Sequence, residues 1–207
     1  RSLTEKLQGF LKEALLHFAR RNDTLLPAHV VVYRASVGQE DWALVRDAEV
    51  EAVLAVLGTV PCAGPVLCAG PSGEPYRPDL TFVAISHRAG VRFFSCSTGG
   101  AKNPEPGTVV DSAAICRSDI PNFYLINHPV LKGTASPTHY TVLYNSAHLP
   151  LNAIQNLSYR LSFLYFNFVG AVKMPAPAQY AKRIAQLVGA AVRDDPHPRL
   201  ACTFFYL

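Results

Sequence analysis

The chain has 207 residues, enough for one domain with a sizeable core. Hydrophobic residues make up 49% and charged residues 16% of the sequence, a balance that excludes an intrinsically disordered chain. The formal net charge of +4 is compatible with a polyanionic partner but does not require one.

No apolar run reaches the length needed to span a membrane, so no membrane partner is expected. The five cysteines are scattered, without a Cys-x-x-Cys pair or a zinc-ligand spacing. They predict reduced structural thiols and an intracellular protein, in the cytoplasm or the nucleus, with an organelle left open. The chain begins at Arg1 and shows no signal peptide, so we expect it to be a piece of a longer protein.

The N-terminal quarter has the alternation of an α/β fold. Apolar residues at spacings of three and four predict a helix over residues 3–20. The β-branched run over residues 28–34 is typical of a strand buried on both faces of a sheet. A second helix is expected over residues 41–57, with Asp41 as its cap. Helix, buried strand and helix in succession indicate the α/β class.

The middle of the chain contains loops and further strands. Residues 58–78, rich in Pro, Gly and Cys, predict an inserted loop. Residues 80–86 predict a strand that turns at residues 87–90 and pairs as a hairpin with residues 91–96. A second loop is expected after this hairpin, over residues 97–107. Further extended segments are predicted over residues 108–115, 122–127 and 138–145.

Two helices are predicted near the C-terminus. The first covers residues 153–168 and is rich in aromatic side chains. The second begins near Pro177, since proline is favoured at the first helical position, and buries an apolar face that includes Tyr180 and Ile184. Its positive dipole end and nearby cations would attract an anion such as a phosphate. An ordinary surface helix with solvated cations is the alternative interpretation.

The strand ends are candidate ligand positions, because ligands of α/β sheets gather there. Metal-dependent chemistry at such an edge needs carboxylates, and the natural position for one, directly after Arg34, is Ala35. Nearby Glu40 and Asp41 lie past the turn at a helix start. The histidines that lie near strands, His128 among them, are each predicted to be structural.

Several cations could form a basic track for phosphate groups, with scattered solvated cations as the alternative. The members of this candidate track are Arg88, Arg92, Lys132, Lys173, Lys182 and Arg183.

Four motifs resemble the Piwi branch of the Argonaute family. Residues 103–111, N-P-E-P-G-T-V-V-D, are similar to that family's N-P-P-P-G-T-V-V-D, and residues 136–145, S-P-T-H-Y-T-V-L-Y-N, to its S-P-T-H-Y-N-V-I-Y-D. Residues 175–189, P-A-P-A-Q-Y-A-K-R-I-A-Q-L-V-G, resemble P-A-P-C-Q-Y-A-H-K-L-A-F-L-V-G, and residues 30–37, V-V-V-Y-R-A-S-V, resemble V-I-V-Y-R-D-G-V. The motifs occur in family order over nearly the whole chain.

The resemblance implies a PIWI domain with an RNase H-like fold, a mixed sheet flanked by helices. Residues 1–207 would be the C-terminal part of this domain, without its upstream strands and without the neighbouring MID domain. The implied partners are a small guide RNA, a complementary target RNA and that MID domain, with further protein partners left open.

The resemblance also assigns candidate site residues. The second metal-binding aspartate of the family falls on Ala35, and the histidine that completes its active site falls on Lys182. Both departures remove a metal ligand, which predicts a domain in RNA silencing that binds RNA without cutting it and needs no catalytic metal. The terminal carboxylate of Leu207 is expected near a Mg²⁺ ion at the guide 5′-phosphate, where Leu187 replaces an arginine of the Argonaute branch. The predicted RNA-binding residues are Arg88, Arg92, Thr138, His139, Lys173, Gln179 and Arg183.

Two other functions stay open. One is an active RNA endonuclease that uses Glu40, Asp41 or Asp111 as a substitute carboxylate. The other is a protein-interaction module with surfaces at the aromatic residues 159–168 or the loop after Gly58. Without upstream strands, the sheet would also have an uncovered edge, so we expect the isolated fragment to dimerise or aggregate.

Overall fold

A computed structural model gives the structure of the protein. It describes residues 3–58, 76–87, 89–98, 100–116, 118–130, 132–193, 197–200 and 203–207. Most of the predicted inserted loop and Arg88 therefore lie outside the described residues.

The chain alternates helices and strands, as the sequence predicts. The α-helices are α1 (Leu3–Arg21), α2 (Trp42–Leu44), α3 (Glu51–Leu57), α4 (Leu151–Leu161) and α5 (Ala176–Leu187). The strands are β1 (His29–Ala35), β2 (Asp79–Ser86), β3 (Ser95–Ser97), β4 (Gly100–Lys102), β5 (Thr108–Val110), β6 (Asn122–Ile126) and β7 (Thr138–Asn145). Short 3-10 turns occupy Gln39–Asp41 and Pro198–Leu200, and π-helical segments occupy Val45–Val50 and Val188–Val192. Among the described helices, none is long and apolar enough to cross a membrane.

The main sheet is mixed, which confirms the predicted fold class. Within the described residues, its strand order is β1-β2-β7-β6-β5, and β3 pairs only with β4. Strands β5, β6 and β7 pair antiparallel. Strands β1 and β2 run parallel: the Asp79 N–H bonds to the Ala28 carbonyl at their starts, and the Ser36 N–H bonds to the Ile85 carbonyl at their ends.

The pairing brings several strand ends to one edge of the sheet. Because β1 and β2 are parallel, Ala35 and Ser86 end their strands on the same side. Strand β7 runs opposite to β2, since the Ser146 N–H after β7 bonds to the Leu80 carbonyl at the start of β2. Thr138, at the start of β7, pairs with Leu125 near the end of β6. The ends of β1, β2 and β6 and the start of β7 therefore share one edge.

The chain divides into two compact units. The first comprises Arg1–Val32, Val37–Val83 and Val142–Leu149. In its core, helices α1 and α3 pack together, and the Gln8 side-chain amide donates to the Ala52 carbonyl at 3.4 Å.

The second unit holds Tyr33–Ser36, Ala84–Thr141 and Pro150–Leu207. Its core includes the stacked rings of Phe123 and Tyr140, with centroids 4.8 Å apart. Ile85 and Ile154 are also buried there. This unit contains the strand-end edge described above.

Several predicted elements are confirmed and two are wrong. Strand β7 has the predicted bounds, and α1 differs by one residue. The predicted hairpin between residues 80–86 and 91–96 does not form, because both edges of β2 are already taken by β1 and β7. The short hairpin is instead β3 with β4, within the segment predicted as strand and loop.

The predicted aromatic helix over residues 153–168 is also too long. Helix α4 ends at Leu161, where the Ser162 hydroxyl donates to the Tyr159 carbonyl at 2.6 Å. The Val172 N–H returns to the Ser162 carbonyl at 2.9 Å and closes a loop after the helix. The aromatic residues from Phe163 onward therefore lie in this loop.

Two local predictions need correction. Asp41 precedes α2 but makes no side-chain capping bond, because its backbone is already helical within the 3-10 turn. Helix α5 is only half-buried on the face predicted to be apolar, and its fully buried residues are Ala176 and Ala178 in the first turn.

Replacing Ile85 by alanine tests the packing of β2. Ile85 has no exposed surface, so Ile85→Ala is expected to lower the free energy of unfolding by about 2–5 kcal/mol through lost burial and a residual cavity. Chemical denaturation measures this change. The matched control is Ile115→Ala. Because Ile115 is 43% exposed, its replacement should lower the free energy of unfolding much less. Equal losses in the two variants would contradict the assignment of β2 to the core.

Candidate functional site

The end of β1 is held tightly and carries no metal ligand. Tyr33 is bonded through its hydroxyl to Ser158 on α4 at 2.9 Å, and burial raises the pKa of Tyr33. Ser36 has a φ of 64°, the left-handed region that few side chains adopt, and its N–H bonds to the Ile85 carbonyl. Ala35 lies between these two anchors and presents only a methyl group at the strand-end edge.

A cleft of about 330 Å³ opens beside this edge, and we call it the Lys182 cleft. Segments after β2 and β6 and before α5 supply its polar side chains, and α5 itself supplies two more. The lining residues are His87, His128, Phe168, Ala171, Val172, Lys173, Met174, Gln179 and Lys182. Three residues predicted from the sequence, Lys173, Gln179 and Lys182, therefore come together.

The segment that carries Lys173 is fixed by a hydrogen bond to the start of β7. The buried Thr138 hydroxyl donates to the Lys173 carbonyl at 2.7 Å, which ties this segment to the start of β7. Met174, the next residue, is buried, whereas the Lys173 side chain is exposed. The structure thus gives Thr138 a supporting contact and leaves the Lys173 ammonium available in the cleft.

Positive charge in the Lys182 cleft has no local counter-charge. Among the described residues that line it, two are lysines and two are histidines, and none is acidic. Burial, and then the nearby charge of Lys173, lower the pKa of His128. The buried Nδ1 atom of His128 has no hydrogen-bond partner within the described structure. The cleft is therefore lined by groups that favour an anion.

The same side chains do not fit a catalytic Mg²⁺ ion. Mg²⁺ prefers carboxylate, carbonyl and water oxygens in near-octahedral geometry. The two positions that the sequence resemblance assigns to metal ligands hold a methyl group, at Ala35, and an ammonium, at Lys182, which would repel the ion. In the part of the chain that the structure describes, no group of three or more His, Cys, Asp or Glu side chains could hold a metal ion.

A second cleft, of about 420 Å³, lies along the C-terminal half of α5 and the segment after it, and we call it the Arg183 cleft. Arg183 and Leu207, both predicted from the sequence, line it together with Leu187. Its other lining residues are Gln186, Ala190, Ala191, Phe205 and Tyr206.

Tyr180 joins the C-terminal segment to α5. Its hydroxyl accepts the Phe166 N–H at 2.8 Å and donates to the Leu164 carbonyl at 3.1 Å. The Tyr180 ring stacks on Phe204, with centroids 5.5 Å apart. These contacts place the chain segment after Phe204 along the helix and thereby shape the Arg183 cleft.

The remaining predicted RNA-binding residues lie elsewhere. The Arg92 guanidinium donates to the Ala89 and Val91 carbonyls at 2.8 Å and so holds its own turn. His139 is half-buried on β7, stacked on Tyr124 with centroids 4.3 Å apart and bonded to Asn122 at 2.9 Å. Arg88 is outside the described residues.

The three candidate substitute carboxylates are exposed and lie on two separate segments of the chain. Glu40 and Asp41 lie on the 3-10 turn after β1. Asp111 follows β5 and accepts a hydrogen bond from the Gln155 amide at 2.9 Å. None of the three is among the described residues that line the Lys182 cleft or the Arg183 cleft.

Two cleft residues, His87 and His128, were expected at strand ends, where ligands gather, but the sequence assigned them no role in binding. The sequence predicts His87 in a hairpin turn and His128 as a lone structural histidine. The structure brings both into the Lys182 cleft, because they follow β2 and β6 at the shared edge. Their position directly after two strands marks them as candidate ligand residues. Only the register of the sheet shows that the two strand ends lie side by side.

A model of the Piwi domain matches residues 1–193 of the chain. The chain belongs to the Piwi domain family. Among its relatives, Piwi-like protein 1 of Gallus gallus is 34% identical over 205 residues, which cover 99% of this chain and 22% of the relative. Piwi-like protein Ago3 of Bombyx mori is also 34% identical, over 99% of this chain and 21% of the relative. The chain thus spans about a fifth of the length of these relatives.

Solved structures confirm the RNase H-like fold of this Piwi domain. The crystal structure of Drosophila Piwi matches with a TM-score of 0.79 and 30% identity, over 98% of this chain and 26% of that chain. The structure of Kluyveromyces polysporus Argonaute with a guide RNA matches with a TM-score of 0.72 and 26% identity, over 85% of this chain and 20% of that chain. The predicted family and fold are therefore both confirmed.

The burial of His139 predicts a pH-dependent stability. Burial lowers the pKa of His139, so the imidazole stays neutral in the folded domain. In the unfolded chain the same imidazole takes up a proton at about pH 6.5. Stability is therefore full above that pH and falls as the pH drops through the lowered pKa of the folded state.

Urea denaturation at about pH 7.5 and about pH 5.5 measures this loss. His139→Gln keeps a donor for Asn122 and should reduce the difference between the two pH values, whereas His148→Asn, at an exposed histidine, should not. An unchanged pH dependence in His139→Gln would show that His139 does not cause it.

Proposed function

We propose that this Piwi domain binds a small guide RNA and, through it, a complementary target RNA in RNA silencing, and that it does not cut the target. The chemistry of the Lys182 cleft carries the proposal. The cleft offers cationic donors for phosphate, whereas Ala35 and Lys182 supply no oxygen ligand for a metal ion, which supports binding without metal-dependent hydrolysis.

Guide binding is supported by two cationic clefts along α5. Lys173 and Lys182 line one cleft, and Arg183 lines the other. Phosphate contacts need only donors and positive charge, so they survive the loss of metal ligands. The likeness to an Argonaute structure that contains a guide RNA supports the same class of ligand.

The Arg183 cleft is the candidate site for the guide 5′-phosphate. A guanidinium binds phosphate oxygens through two parallel hydrogen bonds. Leu187 and Leu207 line the same cleft. A Mg²⁺ ion held there by the Leu207 carboxylate remains a prediction, as do the MID domain as partner, the intracellular location and the assignment of residues 1–207 to the C-terminal part of a longer PIWI domain.

A protein-interaction surface is the second candidate function, favoured by the loop after α4. In this loop, Phe166 is 80% exposed and Leu164 is 64% exposed, which is unusual for large apolar side chains. RNA binding should weaken steeply with salt, whereas an apolar protein interface should not. A salt series therefore separates the two functions.

The absence of cleavage is tested with the full-length protein loaded with a guide RNA. A matched target is added with Mg²⁺ or Mn²⁺, and we expect a stable complex without cut product, because position 35 carries no carboxylate and no acidic side chain lines the described Lys182 cleft. Retention of the labelled target in the same reaction is the control for binding. Metal-dependent product that disappears in Glu40→Ala, Asp41→Ala or Asp111→Ala would contradict the proposal.

The Arg183 cleft is tested by the chemistry of the guide end. We expect Arg183→Ala to reduce the preference for a 5′-phosphorylated over a 5′-hydroxyl guide by about tenfold, since one charge-assisted contact is lost. Dissociation constants for the two guides measure this preference. Lys12→Ala, at an exposed lysine on α1, removes the same charge elsewhere and should leave the preference unchanged. A preference that Arg183→Ala leaves intact would place the 5′-phosphate in another site.

A further inference from the structure

We propose that the Lys182 cleft is a metal-independent binding site for one phosphodiester group of the target RNA, in which Lys173 and Lys182 supply the positive charge. The inference rests on the proposed function, because the target reaches the cleft only through a bound guide. It goes beyond the loss of cleavage, because it proposes that the altered site still binds a target phosphate, with lysine side chains in place of metal ions.

The first argument is the placement of the hydrogen-bond donors around the cavity. Lys182 and Gln179 lie one turn apart on α5, Lys173 precedes this helix, and His128 follows β6. Donors from separate segments surround one cavity, as a tetrahedral anion with several oxygens requires. The bond between the Thr138 hydroxyl and the Lys173 carbonyl fixes one of these segments before any ligand binds.

The second argument is the uncompensated charge. Neither Lys173 nor Lys182 makes an ion pair among the described residues, and no acidic side chain lines the described cleft. Two ammonium groups that line one cavity without an acidic side chain favour an anion between them. Burial, and to a smaller extent the charge of Lys173, lower the pKa of His128, which places the Lys173 charge near this side chain.

The third argument is the apolar wall of the cleft. Phe168, Val172 and Met174 line the cavity beside the charged groups. Phe168 is 54% exposed, so its ring is available to a ribose or a base next to the bound phosphate. A volume of about 330 Å³ exceeds the needs of a free phosphate and suits a phosphodiester with part of its nucleotide.

Lysine replaces only one of the two actions of a metal ion. An ammonium neutralises phosphate charge and donates up to three hydrogen bonds. It does not convert a bound water into hydroxide, as a metal ion does. The phosphodiester is therefore bound and left intact, and its binding needs no divalent cation.

The test uses the full-length protein loaded with its guide and a set of target RNAs, in EDTA. Each target carries one neutral methylphosphonate linkage at a different position. We expect one or two adjacent positions at which the neutral linkage weakens binding about tenfold in the wild type. In Lys182→Ala the charged target should already bind about tenfold more weakly, and the neutral linkage at those positions should have no further effect.

Two variants control for charge and for folding. Lys182→Arg keeps the positive charge and should keep the position-specific effect, whereas Lys12→Ala loses a surface charge and should behave like the wild type. Retained guide affinity shows that each variant is folded. A protein that binds no guide would contradict the proposed function itself. Two results would overturn this inference alone while guide and target still bind. In the first, the effect of the methylphosphonate linkage is the same in Lys182→Ala as in the wild type; in the second, the effect appears only with added Mg²⁺.

Discussion

Parallel pairing of β1 with β2 is the constraint on which the candidate site depends. The Ser36 N–H bonds to the Ile85 carbonyl, so both strands end at the same edge. Antiparallel pairing of β7 and β6 then brings Thr138 and the residues after Ile126 to that edge. Side chains far apart in the sequence meet there because the backbone hydrogen bonds require it. The composition of the edge can therefore change without disturbing the fold.

That composition determines what the edge can bind. A carboxylate at a strand end attracts cations, and a cation there attracts phosphate. In this Piwi domain, Ala35 offers neither charge, and Lys182 and Lys173 make the nearby cleft cationic. The fold is that of the family, and the charges that line the cleft favour an anion over a metal ion.

Local sequence pattern predicted the elements that carry an apolar and aromatic run or a regular apolar spacing. Strand β7 and helix α1 were predicted nearly to the residue. The failed hairpin and the unassigned cleft histidines have one cause, which is pairing between distant segments. Residues 91–96 look like a partner for β2, but β1 and β7 already occupy both of its edges. His128 looks isolated in the sequence, and only the register of β6 and β7 brings it beside Lys173. Lys182 and Arg183 are adjacent in sequence, yet they line different clefts because they point to different sides of α5.

The central claim is that the Lys182 cleft holds phosphate in place of a metal ion. The most direct test is a structure of the full-length protein with guide and target RNA, determined from crystals grown in Mn²⁺, with anomalous scattering data. The account predicts a target phosphate oxygen within hydrogen-bond distance of Lys182 Nζ and no anomalous peak in the cleft. A Mn²⁺ peak coordinated by target phosphate oxygens beside Ala35 would contradict it.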